Sequence, residues 1–323
     1  MTNLSSIKSE NINAVFISVA KKVTASRSEI ADETGLSLVT VGKIADSLVA
    51  AGALIEEKRV SGGAGRRAGI LSLSPKKYIL VIDREPNRTT ASFCNFLFNC
   101  IDYLSFDRDT SIDDIFADTA MRMIEKHDPL DCLGVGILSD DTSEWGTLSG
   151  CAKRFFPDMR SSVSAPVNSA TLLTGEYVGR DELAMYISVR HDSIRGAFVM
   201  NGQIVPHQHE RYADLGVLTC GETTSLLDKM NESDNPKESG RILGECFFNI
   251  LHITYPDALL IENEDCAEFN GMTEYVRELI NRKCGEIGDN PPKIVAAIPD
   301  KKCAHCGMII RMGRMWINSV VIG

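Results

Sequence analysis

With 323 residues, 44 % apolar and 24 % charged, the chain is long enough for two or three domains with sizeable cores, and its formal net charge is −10. No apolar run reaches the ~18 residues that a membrane span requires, and the polar N-terminus lacks a signal-peptide core, so a cytoplasmic protein with no membrane contact is expected. Ten cysteines at irregular spacing, several in apolar surroundings such as Cys94, Cys100, Cys132 and Cys246, argue for reduced thiols and against a disulfide framework.

Residues 24–60 predict a helix-turn-helix followed by the first strand of a wing. Ser26 opens an S-x-x-E pattern with Glu29, a capping box that satisfies amides at a helix start; Gly35 supplies the turn and Ser37 can cap the next helix. From Ser37 onward, Val41, Ile44, Leu48 and Val49 recur at helical spacing and should pack inward. Leu38, Val39, Thr40, Gly42 and Lys43 are left facing outward at the end of the helix that enters a major groove. The DNA contacts expected on this helix are Ser37, Leu38, Thr40 and Lys43, with Gly42 allowing close approach.

Two apolar-rich strands, Ala53 to Val60 and Ile70 to Ser74, flank SGGAGRRAG at residues 61–69 and predict a β-hairpin wing. Arg66 and Arg67 at its tip supply cations for phosphates or a narrow minor groove. A winged helix that only contacts protein, with a solvated Gly-Arg turn, is the competing reading, and it explains the basic tip less well. Residues 1–77 hold 11 Lys/Arg against 7 Asp/Glu, leaving 23 against 37 in the remainder, so the basic part of the chain is the part expected on DNA.

Beyond Pro75 strands alternate with helices. Strands are predicted at 78–83, 91–98 and 99–106, a helix at 111–127 and a buried strand at 132–138. A hairpin from 184–190 and 195–205 comes next, then helices around 222–230, 236–254 and 272–284, and strands at 258–263 and 293–298. No internal repeat of 20 to 50 residues and no low-complexity tract is visible.

This order resembles the ROK family of repressors, open reading frames and sugar kinases, in the regulator branch that carries an N-terminal winged helix. The resemblance runs from SRSEIADETGLSLVTVGKIADSLVAAG and GGAGRRAGILSLSP through YILVID, GVGIL, GEY and RGAFVMNGQI to YPDALLIEN. It is specific in the first 80 residues and architectural afterward. It implies an α/β protein: a winged helix-turn-helix over residues 1–77, then an actin-like ATPase (ROK-type) two-lobed α/β domain over 78–323 for dimerisation and effector sensing.

The resemblance also gives the departures a meaning. In family kinases the first strand ends in an Asp followed by a Gly-Gly-Thr phosphate loop; Asp83 is present here, but Arg84, Glu85, Pro86 and Asn87 come after it. A Glu repels phosphate, and a Pro removes an amide donor. The second phosphate turn reads RHDSIRGA at 190–197, with Gly196 as its surviving glycine. The family's proton-abstracting Asp falls on Asn168 or Ser169, depending on the placement of a gap, and neither is a base at neutral pH. The family's zinc site is replaced by Val217 and a single Cys220, too few ligands for a tetrahedral site.

CAHC at 303–306 falls in a predicted helix and reads as two buried thiols more readily than as a metal or redox pair; His207 and His209 read as solvated loop residues more readily than as ligands. Asp214 matches the family's sugar-contacting Glu, so Asn168 and Asp214 are the candidate effector contacts across the former sugar cleft. Ligand binding without catalysis and a cleft that binds nothing both stay open. The expectation is a sequence-specific transcription regulator, a repressor, bound to a double-stranded DNA operator as a homodimer or higher homo-oligomer, with a sugar-like effector, no cofactor, no metal and no enzymatic activity. A bifunctional sugar kinase and a protein-binding scaffold are the alternatives.

Overall fold

Helix formation at the N-terminus rests on a stripe of Ile12, Val15, Phe16 and Val19, all buried, on α1 (Leu4–Lys22). The strand β1 (Thr24–Ser26) leads into α2 (Arg27–Thr34), α3 (Leu38–Ala50), β2 (Leu54–Lys58) and β3 (Gly69–Leu73). Strand β3 pairs antiparallel with both β1 and β2, so the wing strands and the segment before α2 form one three-stranded sheet. The computed structural model describes residues 4–58, 69–171, 182–200, 203–205, 212–219, 224–233, 235–263, 271–296 and 303–319. Arg66, Arg67, His207, His209 and Cys220 lie outside the described residues.

By contact the chain divides into two compact units, residues 1–164 with 308–323, and residues 165–307. The winged helix falls in the first because α1 packs onto the later segments of that unit: the rings of Phe16 and Phe96 meet edge-on with centroids 5.0 Å apart, and the Ser9 hydroxyl donates to Asn318 Oδ1 at 2.8 Å.

The first unit continues with β4 (Tyr78–Arg84), β5 (Arg88–Asn95), β6 (Cys100–Asp107), α4 (Ile112–Lys126), β7 (Cys132–Ser139), α5 (Trp145–Phe155) and β8 (Ser161–Ser164). Its sheet has the order β6-β5-β4-β7-β8, antiparallel among the first three and parallel from β4 to β8. Tyr78, Leu80, Ile82, Phe93, Val135 and Ile137 pack from this sheet against Ile115, Phe116 and Leu148 of the helices. Strand β5 stops at Asn95, short of the expected 98, because the Asn95 side chain accepts the N–H groups of Leu97 and Asn99 and turns the chain at Phe98, where φ is +60°. Burial pushes the Cys132 thiol up to about 11, which keeps it protonated and unreactive. On the edge strand, Asp102 accepts from Arg122 Nε at 2.7 Å and Nη2 at 3.0 Å and lies 3.1 Å from His127 Nε2. Arg122 foremost holds its carboxyl down at about 2.

The second unit contains α6 (Pro166–Ala170), β9 (Leu183–Val189), β10 (Ile194–Met200), β11 (Gln203–Ile204), β12 (Ala213–Asp214), α7 (Leu226–Asn231), α8 (Pro236–Thr254), β13 (Ala258–Asn263), α9 (Met272–Ile287) and β14 (Lys293–Ala296). Its sheet, β11-β10-β9-β13-β14 with β12 also on β10, repeats the plan of the first: an antiparallel edge, then parallel strands. The duplication is one of hydrogen-bond topology that no sequence repeat announces. Met185, Ile187, Leu259 and Ile261 of its sheet pack against Leu243, Phe247, Val276 and Ile280 of α8 and α9.

The last helix, α10 (Cys303–Ile317), belongs to the second unit up to Gly307 and to the first from Met308. A Cβ on Gly307 would lie 1.8 Å from the carbonyl oxygen of Ser169, so only glycine permits this approach. Met308 and Met312 fill the space that Gly136 and Gly134 leave on β7.

Candidate nucleic-acid interface and the phosphate-loop positions

The capping box on α2 forms as the sequence predicts. The Glu29 N–H donates to Ser26 Oγ at 3.3 Å, and the Ser26 N–H returns a 2.7 Å bond to Glu29 Oε2. Gly35 ends α2 at φ +68°, its N–H bonding Ala31 O at 3.0 Å, a conformation costly for a residue with a Cβ. Ser37 caps α3, accepting the Thr40 N–H at 3.1 Å, and its hydroxyl shares a 2.8 Å hydrogen bond with Thr40 Oγ1. Val41, Ala45 and Leu48 are buried beneath α3, and Ile44 and Val49 are half-buried.

The exposed residues of α3 are Leu38, 57 % exposed, Val39, 69 % exposed, Lys43, Asp46, Ser47 and Ala50. Thr40 and Gly42 are half-buried, which sets them back from the leading surface. A Cβ on Gly42 would meet Arg27 Nη1 at 3.7 Å, an ordinary contact, so the fold itself does not demand glycine there. Arg27 is a tie that sequence reasoning did not anticipate: Nη2 reaches Asp46 Oδ1 at 2.7 Å and Glu56 Oε2 at 3.0 Å, joining α2, α3 and the wing strand. The Asp46 bond foremost raises the Arg27 pKa. The two partners lie 19 and 29 residues from Arg27, and nothing local marks the three as a set.

At the first phosphate-loop position the chain makes a tight hairpin. Strand β4 passes Asp83, which is buried, and the Glu85 N–H donates to Arg88 O at 3.0 Å across the turn that holds Pro86. Arg84 is drawn away by a bidentate pair with Glu144, Nε at 2.8 Å and Nη2 at 2.9 Å, and Arg88 pairs with Glu85 at 2.6 Å. Of the amides that a phosphate cradle needs, that of Glu85 is used within the hairpin and that of Pro86 does not exist.

The second position is also a hairpin turn. Between β9 and β10 the Arg190 N–H bonds Ser193 O at 2.9 Å, and Asn231 Nδ2 donates to His191 O at 3.0 Å, fixing a four-residue turn.

Of the two candidates for the base position, Ser169 is fully buried and its hydroxyl donates to Ala304 O at 2.8 Å. Asn168 is 5 % exposed on the five-residue α6, which packs against β9 and β10. Asp214 is exposed on β12, and its Oδ1 accepts the Gly216 N–H at 3.1 Å. The two expected effector contacts thus share β10 as a neighbour, one buried and one at the surface. Val217 is 66 % exposed, and among the described residues no group of three or more His, Cys, Asp or Glu is placed to hold a metal. His305 and Cys306 are buried in α10.

A three-stranded winged helix-turn-helix with two lobes of one duplicated plan defines the class: this is the ROK-type, actin-like fold, an α/β architecture carrying a winged helix. No protein-family model matches the sequence, and no curated protein is significantly similar to it. Among solved structures, a ROK family transcriptional regulator, a homologue of the E. coli MLC protein, superposes with a TM-score of 0.68 at 14 % identity, covering 98 % of this chain and 100 % of its own. A ROK family protein from Streptococcus pneumoniae in complex with sucrose gives 0.56 at 14 % identity, over 76 % of this chain and 100 % of its own. A ROK family glucokinase from Streptomyces griseus in complex with glucose and AMPPNP gives 0.53 at 13 % identity, over 72 % and 98 %. The regulator matches nearly the whole chain and the other two match about three quarters of it.

Proposed function

We propose that this protein is a sequence-specific DNA-binding transcription regulator of the ROK type, a cytoplasmic repressor that acts as a homodimer. The observation that carries the reading is the α2–turn–α3 pair, capped by Ser26, Gly35 and Ser37, with the outer face of α3 left uncovered. The full-length likeness to a solved transcriptional regulator supports it. Residues 1–77 are the DNA-reading part, with Ser37, Leu38, Thr40, Gly42 and Lys43 on the helix and Arg66 and Arg67 on the wing as its contacts. Two-fold pairing of such helices over half-sites is the geometry that gives a helix-turn-helix protein its specificity.

The remainder is a lobe pair without phosphoryl transfer, in which Asn168 and Asp214 contribute to an effector site for a sugar-like ligand. Both phosphate-loop turns are tight hairpins and Ser169 is spent on a backbone carbonyl. The second reading, a bifunctional sugar kinase, draws on Asp83, buried at the end of β4, and on the solved sugar kinases that share the fold.

Gel shifts of the full-length protein on the DNA upstream of its own gene, and on duplexes selected from a random library, test the first reading. A discrete complex that survives competitor DNA is expected, and failure to select any sequence overturns it. Calorimetry with ATP and a panel of sugars tests the second: micromolar ATP binding or sugar-dependent release of ADP would replace the regulator-only reading.

A further inference from the structure

The first turn of α3 exposes apolar side chains where a base-reading surface usually offers hydrogen-bonding groups. Val39 and Leu38 are the two most exposed large apolar side chains among the described residues of the winged helix, and they are consecutive at the start of the helix that a major groove would receive.

The polar groups around them are occupied within the protein. The Ser37 and Thr40 hydroxyls bond each other, Ser37 also caps the Thr40 N–H, the Ser47 hydroxyl donates to Lys43 O, and Asp46 is held by Arg27. Gly42 has no side chain to offer. Lys43 can donate to guanine O6 and N7 but lacks the paired donor and acceptor that reads adenine, and it lies a full turn beyond Leu38 and Val39. Two branched aliphatic side chains in a wall of donors and acceptors find one apolar partner there, the 5-methyl group of thymine.

We propose that Leu38 and Val39 are specificity-determining residues that read thymine 5-methyl groups at adjacent positions of each half-site. The proposal rests on the DNA-binding reading and adds to it the chemical feature recognised. The positive balance of residues 1–77 fits a duplex better than a protein surface as the occupant of this face.

The test uses the full chain and the operator selected from random duplexes. Each thymine is replaced in turn by uracil, which removes the methyl and leaves the pairing edge unchanged, and each cytosine by 5-methylcytosine. At one or two adjacent positions per half-site, uracil should weaken binding about fourfold, the cost of one buried methyl. Changing those base pairs to C·G should weaken binding further, with 5-methylcytosine recovering part of the loss. Leu38→Ala and Val39→Ala, at exposed positions where the fold tolerates truncation, should each erase the thymine-to-uracil difference at one position while the other persists.

An operator whose affinity ignores uracil everywhere overturns methyl reading and leaves DNA binding standing; failure to select any operator defeats the DNA-binding reading itself. If Leu38→Ala and Val39→Ala leave the thymine-to-uracil ratio intact and instead weaken self-association, the pair belongs to a protein contact and the proposal falls.

Discussion

Ser169 and Ala304 are joined by a hydrogen bond of 2.8 Å between the serine hydroxyl and the alanine carbonyl, buried and spanning 135 residues of sequence. It turns one of the two candidate base positions into a fastener between α6 and the start of α10. Ser169→Asp would set a carboxylate against that carbonyl and remove its donor, at a cost of about 3 kcal/mol. Denaturant melts should register this loss. Neither Ser169→Asp nor Asn168→Asp should release ADP in the presence of sugars, because a base without a nucleotide cradle lacks most of the transition-state contacts. Turnover by either variant would refute the proposed absence of phosphoryl transfer.

The proposed DNA-binding function puts Arg66 and Arg67 against phosphate or the minor groove. Replacing both with alanine should weaken binding to every duplex alike and lower the slope of log affinity against log salt by about 2. A slope that does not move removes them from the interface.

Gly42 separates fold from function in one substitution. Its added Cβ would meet only Arg27 Nη1 at 3.7 Å, so Gly42→Ala should stabilise α3 by up to about 1 kcal/mol while reducing operator affinity. A more stable protein with unchanged affinity would mean that DNA does not approach this backbone closely.

Asp102 gives a pH signature. Its carboxyl is held at about 2, below the ordinary 3.8, so its contribution is complete above pH 4 and is lost as pH falls toward 2. Asp102→Asn should therefore cost about 1 kcal/mol at neutral pH, and the gap to the parent protein should close between pH 4 and 2 in acid-unfolding curves. A gap that is constant across that window would point to packing and not to the Arg122 and His127 pairing.

The winged helix was legible because its signals are local: Ser26 and Glu29 three residues apart, Gly35 at the turn, and an apolar stripe along α3. Helix α1 is harder to see although Ile12, Val15, Phe16 and Val19 share a face, since its first turn holds no acidic residue to mark a start. Helix α6, at five residues, is too short for periodicity to reveal. The outward direction of Leu38 and Val39 could be read from spacing, whereas the engagement of Ser37 with Thr40 and of Arg27 with Asp46 and Glu56 required coordinates. The residue types at the two expected phosphate positions were readable, and so was the hairpin of strands β9 and β10; the pairing of Arg84 with Glu144 and the Asn231 bond to His191 O were not, because their partners lie 60 and 40 residues away.

Because α10 supplies Met308 and Met312 to the Gly134 and Gly136 face of β7, the first unit cannot close over its own sheet until residues 308–317 have been synthesised. During translation the strands of residues 78–164 wait with that face unfilled while more than 140 further residues emerge, a delay that exposes apolar surface to chaperones or to other nascent chains. In this order of assembly the first unit to be started is the last to be completed: without residues 308–317 the Gly134 and Gly136 face of β7 stays unfilled, and the winged helix that belongs to the same unit rests on an unfinished core.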